Sequence, residues 1–428
     1  MTTSRRELLG VVAGASLLPM LNVGALARAA GQSGGDLPRW VAGARAAIPA
    51  TRDRFFQTAG IAPSSRSVID EVKSRLEFQN EGPVATGIAD RMAQIEPDLR
   101  SHLGAFAGAH ADEIALTHST SEGINIASWA LNWKAGDEVV ISNQEHPANL
   151  IPWYNLRSRF GVVLRVIDLS AGSDFRAQIR AAVGTRTRMV SVPHVSRNNG
   201  RALRTDEVAE VARWLRERGV RFHLDGAQGP GCVPFDFGEL GCDYYSTCGH
   251  KWLLGPKGTG AFFVRADMLD ATALTWTGSH STTAFDYDGN YELIPEARRF
   301  EFGTRALATF AGFDAALAWF DSLGVDRVLS RIDELTEYAI ETTDGLSGFD
   351  VTSPRAKADR SGVFVARLPE GCTAWPVYEA LRLQGAYTSP VTDERDLRIA
   401  IHFFNTRDEI RSTLLAVDDV CRREIAGG

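Results

Sequence analysis

The segment Arg221-Phe222-His223-Leu224-Asp225-Gly226-Ala227-Gln228, followed by Cys248-Gly249-His250-Lys251-Trp252-Leu253-Leu254-Gly255, decides how this chain is read. The first stretch is a short apolar run that stops at an acid and a glycine, the pattern of a buried strand entering a turn. The second sets a lysine among His250, Trp252, Leu253 and Leu254, whereas an ordinary lysine is a solvated surface charge. Asp225 and Lys251 are 26 positions apart (251 − 225).

Outward from this pair, residues 113–117, 138–142, 162–167, 189–193 and 221–225 are short apolar or β-branched runs, and 243–247 and 260–264 continue the series. Between 193 and 221 the apolar residues Val208, Val211, Ala212 and Leu215 follow helical spacing, with Thr205 as expected cap and Gly219 as stop. Alternating strands and helices imply an α/β fold with a mainly parallel sheet covered on both faces. Ligands of such sheets gather at the carboxyl ends of strands, where Asp225 falls. Residues 310–341 read as long helices, 363–366 and 397–401 as strands, and a last helix starts near Thr406.

A lysine able to form a Schiff base, with a carboxylate able to keep a pyridine nitrogen protonated, meets the two main demands of pyridoxal 5'-phosphate. Leu224-Asp225-Gly226-Ala227-Gln228 and Gly249-His250-Lys251-Trp252-Leu253-Leu254-Gly255-Pro256-Lys257-Gly258-Thr259-Gly260 resemble the signature of class V aminotransferases, in the cysteine desulfurase and isopenicillin-N-epimerase branches. The likeness extends from about Thr117 to about Thr406. It implies a fold type I enzyme with a seven-stranded, mainly parallel sheet and a small C-terminal αβ domain. The expected division is 31–61 as an N-terminal segment, 62–305 as the cofactor domain and 306–428 as the small domain. A homodimer with sites at the interface is a further implication.

The resemblance assigns roles residue by residue. Lys251 would carry the cofactor and then move the substrate's α-proton; Asp225 would hold the pyridine nitrogen, and Gln228 the phenolic oxygen. His146, in Glu145-His146-Pro147-Ala148-Asn149, would stack on the ring, with Asn149 beside the substrate. Thr120 and Ser121, opening a helix in Thr120-Ser121-Glu122-Gly123, would bind the phosphate with His250 and with Thr304 of the other subunit. Arg398 would clamp the substrate carboxylate, since a planar guanidinium matches carboxylate geometry.

Several residues depart from the desulfurase pattern. Cys248 stands in place of a serine, Arg305 in place of a proline, and Arg197 in place of an asparagine near the phenolic oxygen. Arg197 therefore either enlarges anion recognition or retunes the ring. Gly385-Ala386-Tyr387-Thr388-Ser389-Pro390 lacks the nucleophilic cysteine of desulfurases, which disfavours sulfur transfer to a protein thiol. The glycine-rich segments 226–231 and 255–260 have neither dinucleotide-fingerprint nor Walker A spacing.

The composition is that of an ordinary globular protein, with 44% hydrophobic and 23% charged residues over 428 positions. A net charge of −7 argues against a nucleic-acid surface. At the N-terminus, Ser4-Arg5-Arg6-Glu7-Leu8-Leu9 precedes an uncharged stretch ending in Ala25-Leu26-Ala27, the pattern of a twin-arginine signal peptide over about 1–30 with export to the periplasm. Cys232, Cys242, Cys248, Cys372 and Cys421 are read as free and mostly buried, and no spacing suggests a metal site.

The expected function is pyridoxal-phosphate chemistry at the α-amino centre of a free or peptide-bound amino acid, by transamination or epimerisation. A peptide-bound amino acid with a free amine is the leading substrate expectation, by comparison with exported relatives that modify peptide siderophores such as pyoverdine. The alternatives are C–S cleavage of the desulfurase or lyase type, or a non-catalytic protein that only binds the cofactor.

Overall fold

A computed structural model describes residues 37–427. The twin arginines Arg5 and Arg6 and the expected cleavage region lie outside the described residues. Seven strands form the main sheet: β1 (Ile114–Thr117), β2 (Glu138–Ser142), β3 (Val163–Ile167), β4 (Thr187–Pro193), β5 (Arg221–Asp225), β6 (Tyr244–Cys248) and β7 (Gly260–Val264). Their order is β1-β7-β6-β5-β4-β2-β3. β7 runs antiparallel to both neighbours, and the remaining pairs are parallel. Runs such as Thr187-Arg188-Met189-Val190-Ser191-Val192-Pro193 are buried on both faces because helices cover both.

The period of two along a strand sorts these side chains. Val190, Val192, Phe222 and Leu224 face one side, packed with α1 (Thr205–Arg216) and a largely apolar α2 (Leu307–Leu323). Met189 faces the other side with Trp153 and Ile126, from α3 (Pro147–Phe160) and α4 (Thr120–Ser128). Ser191, His223 and Asp225 share that second face by the same alternation. Thr205 is the first residue of α1 rather than its cap. The cap is Arg204, whose N–H donates to Glu207 Oε1 at 3.0 Å. The acid three residues inside the helix thus does what the threonine hydroxyl was expected to do.

A second, antiparallel sheet has the order β8 (Asp350–Val351), β9 (Val363–Arg367), β11 (Asp396–Ala400), β10 (Ser389–Pro390). Leu335 and Ala339 of α5 (Val325–Asp344), with Ile410 and Leu414 of α6 (Arg407–Gly427), cover it. The early segment Arg54–Phe55 pairs in parallel with Ala386–Tyr387, so chain from before the main sheet is built into this late region. The free state expected for all five cysteines is wrong in one respect: Cys372 and Cys421 form a disulfide, their Cα atoms 5.4 Å apart. They are 49 residues apart in sequence, and only the packing of α6 brings them together. Closing a loop of that length is worth about 4 kcal/mol in the chain-entropy account. Among the described residues no helix is long and apolar enough to cross a membrane, and no cluster of His, Cys, Asp or Glu gathers as a metal site.

Candidate active site

Asp225 ends β5 with 4% exposure. Its Oδ1 accepts the Ala227 N–H at 3.0 Å. Burial pushes its carboxyl above the usual range, opposed by the Ala227 amide and by the Lys251 ammonium. A buried carboxylate with so little compensation suits a cation brought by a ligand. The turn behind it is tight: a Cβ on Gly226 would come within 2.0 Å of the Tyr245 ring.

A chain of buried polar groups runs behind this acid. Glu145 accepts the Ser142 hydroxyl at 2.6 Å and the Asn149 amide at 2.7 Å. Asn149 Oδ1 accepts from Ser191 Oγ at 3.0 Å, and the His223 ring lies between Ser191 Oγ (2.8 Å) and Ser246 Oγ (2.9 Å). Burial pushes Glu145 up to about 8, with Asp225 adding to the rise, and pulls His223 down to about 3. Asn149 was expected at the substrate. It is instead fully buried, its amide occupied by Glu145, Ser191 and Trp153, so it braces the site from within. Glu145, Ser191 and His223 had drawn no attention in the sequence. The alternation that puts Ser191, His223 and Asp225 on one face was the available signal.

Lys251 sits on a loop held at several points. The Ala62 N–H donates to the His250 carbonyl at 2.9 Å. His402 Nδ1 accepts from the Phe403 N–H at 2.9 Å, which leaves Nε2 to donate to the Trp252 carbonyl at 3.0 Å. The indole of Trp252 donates to Gln228 Oε1 at 2.7 Å and stacks on His402. Leu254 has φ +57°, the one non-glycine residue with positive φ among the described residues. Strain of this kind, about 1–3 kcal/mol, persists only where surroundings enforce it. Beneath the loop, a Cβ on Gly249 would meet the Phe313 ring of α2 at 2.8 Å. Lys251 itself makes no side-chain hydrogen bond among the described residues, and its charge acts on Asp225, Cys248, His146 and His250.

Gln228 is partly occupied, since Nε2 also donates to the Ala59 carbonyl at 2.8 Å, leaving one N–H for a phenolic oxygen. Thr120 and Ser121 open α4 after the Ser119 cap. Thr120 Oγ1 and His250 Nδ1 are buried without an oxygen or nitrogen partner, the Cys248 thiol lying beside the threonine. Two orphan polar atoms beside the free amides of a helix N-terminus fit a phosphate dianion. Ser121 and Thr304 are exposed, their side chains open to a ligand or a partner chain. Arg305 is fixed by Glu96 at 3.0 Å and by the Leu116 carbonyl, which anchors the segment carrying Thr304.

His146 caps α3, with Nδ1 accepting the Ala148 N–H at 3.0 Å. Partial burial, then the charges of Lys251, Arg197 and Arg398, pull it down to about 4. At neutral pH the ring is therefore uncharged. Arg398 lies on β11 with 4% exposure, and its Nε has no acceptor. Burial and then Arg197 pull its guanidinium down to about 9. The structure thus brings Lys251, Asp225, His146, His250, Thr120 and Arg398 together, and their orphan donors, buried acid and free amine suit pyridoxal 5'-phosphate.

Sheet, lysine loop and strand-end acid together define a fold type I pyridoxal-phosphate protein. Residues 54–387 match the family described as Aminotransferase class-V, and the chain belongs to it. A probable cysteine desulfurase of Methanothermobacter thermautotrophicus is 30% identical over 71% of this chain and 76% of its own. An isopenicillin N epimerase of Amycolatopsis lactamdurans is 29% identical over 84% and 93%. Among solved structures, the cystine C–S lyase C-DES in complex with its product cysteine persulfide superposes with a TM-score of 0.80. It is 25% identical and covers 86% of this chain and 97% of that one. A lysine-to-alanine form of C-DES, with glycine covalently linked to its pyridoxal-phosphate cofactor, superposes with a TM-score of 0.81 at 25% identity over 88% and 99%.

Proposed function

We propose that the chain is a pyridoxal-phosphate lyase that cleaves a Cβ–S bond in an α-amino acid without taking the sulfur onto a thiol of its own. The observation that carries this reading is the state of its cysteines. Cys232, Cys242 and Cys248 are buried, Cys372 and Cys421 are bonded to each other, and the strand paired with Arg398 offers none. Burial raises all three free thiols, holding them in the unreactive protonated form. Sulfur must then leave with the substrate, which agrees with the likeness to a cystine lyase.

Bound pyridoxal phosphate supplies an electron sink that makes the Cα–H bond acidic. Arg398 receives the α-carboxylate and fixes which bond faces the sink. Lys251, which would hold the cofactor's aldehyde carbon, is the base placed to accept the α-proton at Nζ. The Cβ–S bond then breaks, the electron pair leaving on sulfur, and the enamine released hydrolyses to pyruvate and ammonia. His146, pulled down to about 4, would stack on the ring without adding a positive charge beside it. Epimerisation is the second reading, supported by the long match to an epimerase and by Gly303-Thr304-Arg305; it needs the same proton removal at Lys251. Incubation with L-cystine separates the two. Pyruvate and a persulfide are expected, whereas α-hydrogen exchange with no mass change on other amino acids would favour epimerisation.

We also propose a homodimer, in which the exposed Thr304 reaches the partner's phosphate, and export by the twin-arginine route to the periplasm. The Cys372–Cys421 disulfide supports an oxidising compartment. Cell fractionation tests export: wild type is expected shortened in the periplasm, and Arg5→Lys with Arg6→Lys full-length in the cytoplasm.

A further inference from the structure

Arg197 stands on a turn that is fixed on all sides. Ser196 Oγ accepts the N–H groups of Asn198 and Asn199, at 3.1 and 3.2 Å. The Gly200 carbonyl accepts from Ser361 Oγ at 2.7 Å, and Asn198 Oδ1 from Thr392 Oγ1 at 3.0 Å. Thr392 follows the strand paired with Arg398, so the two arginines are carried by elements tied to each other. Yet neither guanidinium has a hydrogen bond or ion pair among the described residues. No carboxylate acts on either. Desolvation alone lowers Arg197, and for Arg398 the one added influence is Arg197 itself.

Two like charges held together in a partly dry cleft repel each other and leave their donors unsatisfied, a state costly unless a ligand brings two negative charges. One arginine suffices for an α-carboxylate. The cofactor phosphate would be held by other residues, Thr120 and His250, whose buried polar atoms lack partners. Nor does Arg197 act on Asp225, which would hold the ring nitrogen; it acts on Arg398 and His146.

We propose that Arg197 and Arg398 form a two-guanidinium clamp for an amino acid with a second anionic group on its side chain, Arg398 taking the α-carboxylate and Arg197 the other. This rests on the reading of the site as one for α-amino acids, and it names the substrate class within it. A β-carboxylate, a γ-carboxylate, a sulfinate and the far carboxylate of cystine all share this chemistry.

The test uses isosteric pairs that differ in charge: L-aspartate against L-asparagine and L-glutamate against L-glutamine, titrated into the holoenzyme and read from the cofactor's visible absorption. Wild type is expected to bind at least one acid about tenfold or more tighter than its amide, equivalent to about 1.4 kcal/mol. The better pair reports the side-chain length accepted. Arg197→Gln should bring that ratio near one while leaving amide affinity within about twofold and the resting spectrum unchanged; Arg197→Lys should keep part of the preference. Equal affinities in wild type would overturn the clamp, as would a preference unaltered in Arg197→Gln. A shifted resting spectrum with equal losses for acid and amide would assign Arg197 to the ring instead. A wild type that holds cofactor but answers no amino acid would sink the α-amino-acid reading, and the clamp with it.

Discussion

Behind Asp225, the polar side chains of Glu145, Asn149, Ser191, His223 and Ser246 have all found protein partners; across the cleft, Arg197 and Arg398 have found none among the described residues. Both regions are largely buried, so the contrast is not one of solvent. Buried polar groups that satisfy one another rigidify a scaffold, and those left over mark where a ligand completes the hydrogen bonding. The contrast therefore separates residues that shape the site from residues that meet what enters it. Lys251, Thr120 and His250 fall with the second group, and Asn149 with the first.

The strongest way to break this division is at Lys251. Lys251→Ala should lower turnover by roughly 10^4-fold or more and abolish the visible absorption of the lysine-bound cofactor, with the fold unchanged by circular dichroism. A coloured, active variant would remove the residue from the chemistry. Next comes Arg398→Gln, which should weaken substrate binding by roughly 10–100-fold, the worth of a charge-assisted hydrogen bond, with cofactor content unaltered. Loss of folding instead would place Arg398 with the scaffold.

On the scaffold side, Asn149→Ala should cost roughly 1–3 kcal/mol in denaturant unfolding, because Glu145 and Ser191 each lose a partner. A loss of substrate affinity without loss of stability would return Asn149 to the substrate. The smallest effect is expected for Glu145→Gln. Glu145 is raised to about 8 in the fold, above the roughly 4.3 of an unfolded chain, so it stabilises while protonated and that contribution fades as pH rises through 8. The gap in melting temperature between wild type and Glu145→Gln should shrink or reverse from pH 5 to pH 8. Parallel melting curves would mean that Glu145 stays ionised within the network.

Much of the frame was legible beforehand. The runs at 113–117, 138–142, 162–167, 189–193, 221–225, 243–247 and 260–264 all became strands, with ends shifted by two residues at most. Each is a short run rich in apolar or β-branched residues and bounded by polar or turn residues, which is how a strand of such a sheet declares itself. Asp225 and Lys251 were legible for the same reason, as single charges interrupting apolar neighbours. What stayed hidden depends on contacts across the fold. Nothing near Asn149 reveals that Ser191, 42 residues on, will take its oxygen. Cys372 and Cys421 meet through the packing of α6, and the antiparallel course of β7 comes from a turn reversing within the main sheet.

The clamp on the lysine loop has a consequence for timing. His402 grips the carbonyl of Trp252 from 150 residues further along the chain. At ordinary translation rates that interval lasts on the order of ten seconds or longer. During it, the strand bearing Asp225 and the loop bearing Lys251 have already been made, but neither the loop's last fastening nor Arg398 exists. A ribosome-bound fragment ending short of β11 therefore has the acid and the amine at the ends of paired strands but lacks the His402 contact that completes the lysine loop. The site is therefore whole only once Arg398 and His402 have followed the acid and the amine out of the ribosome.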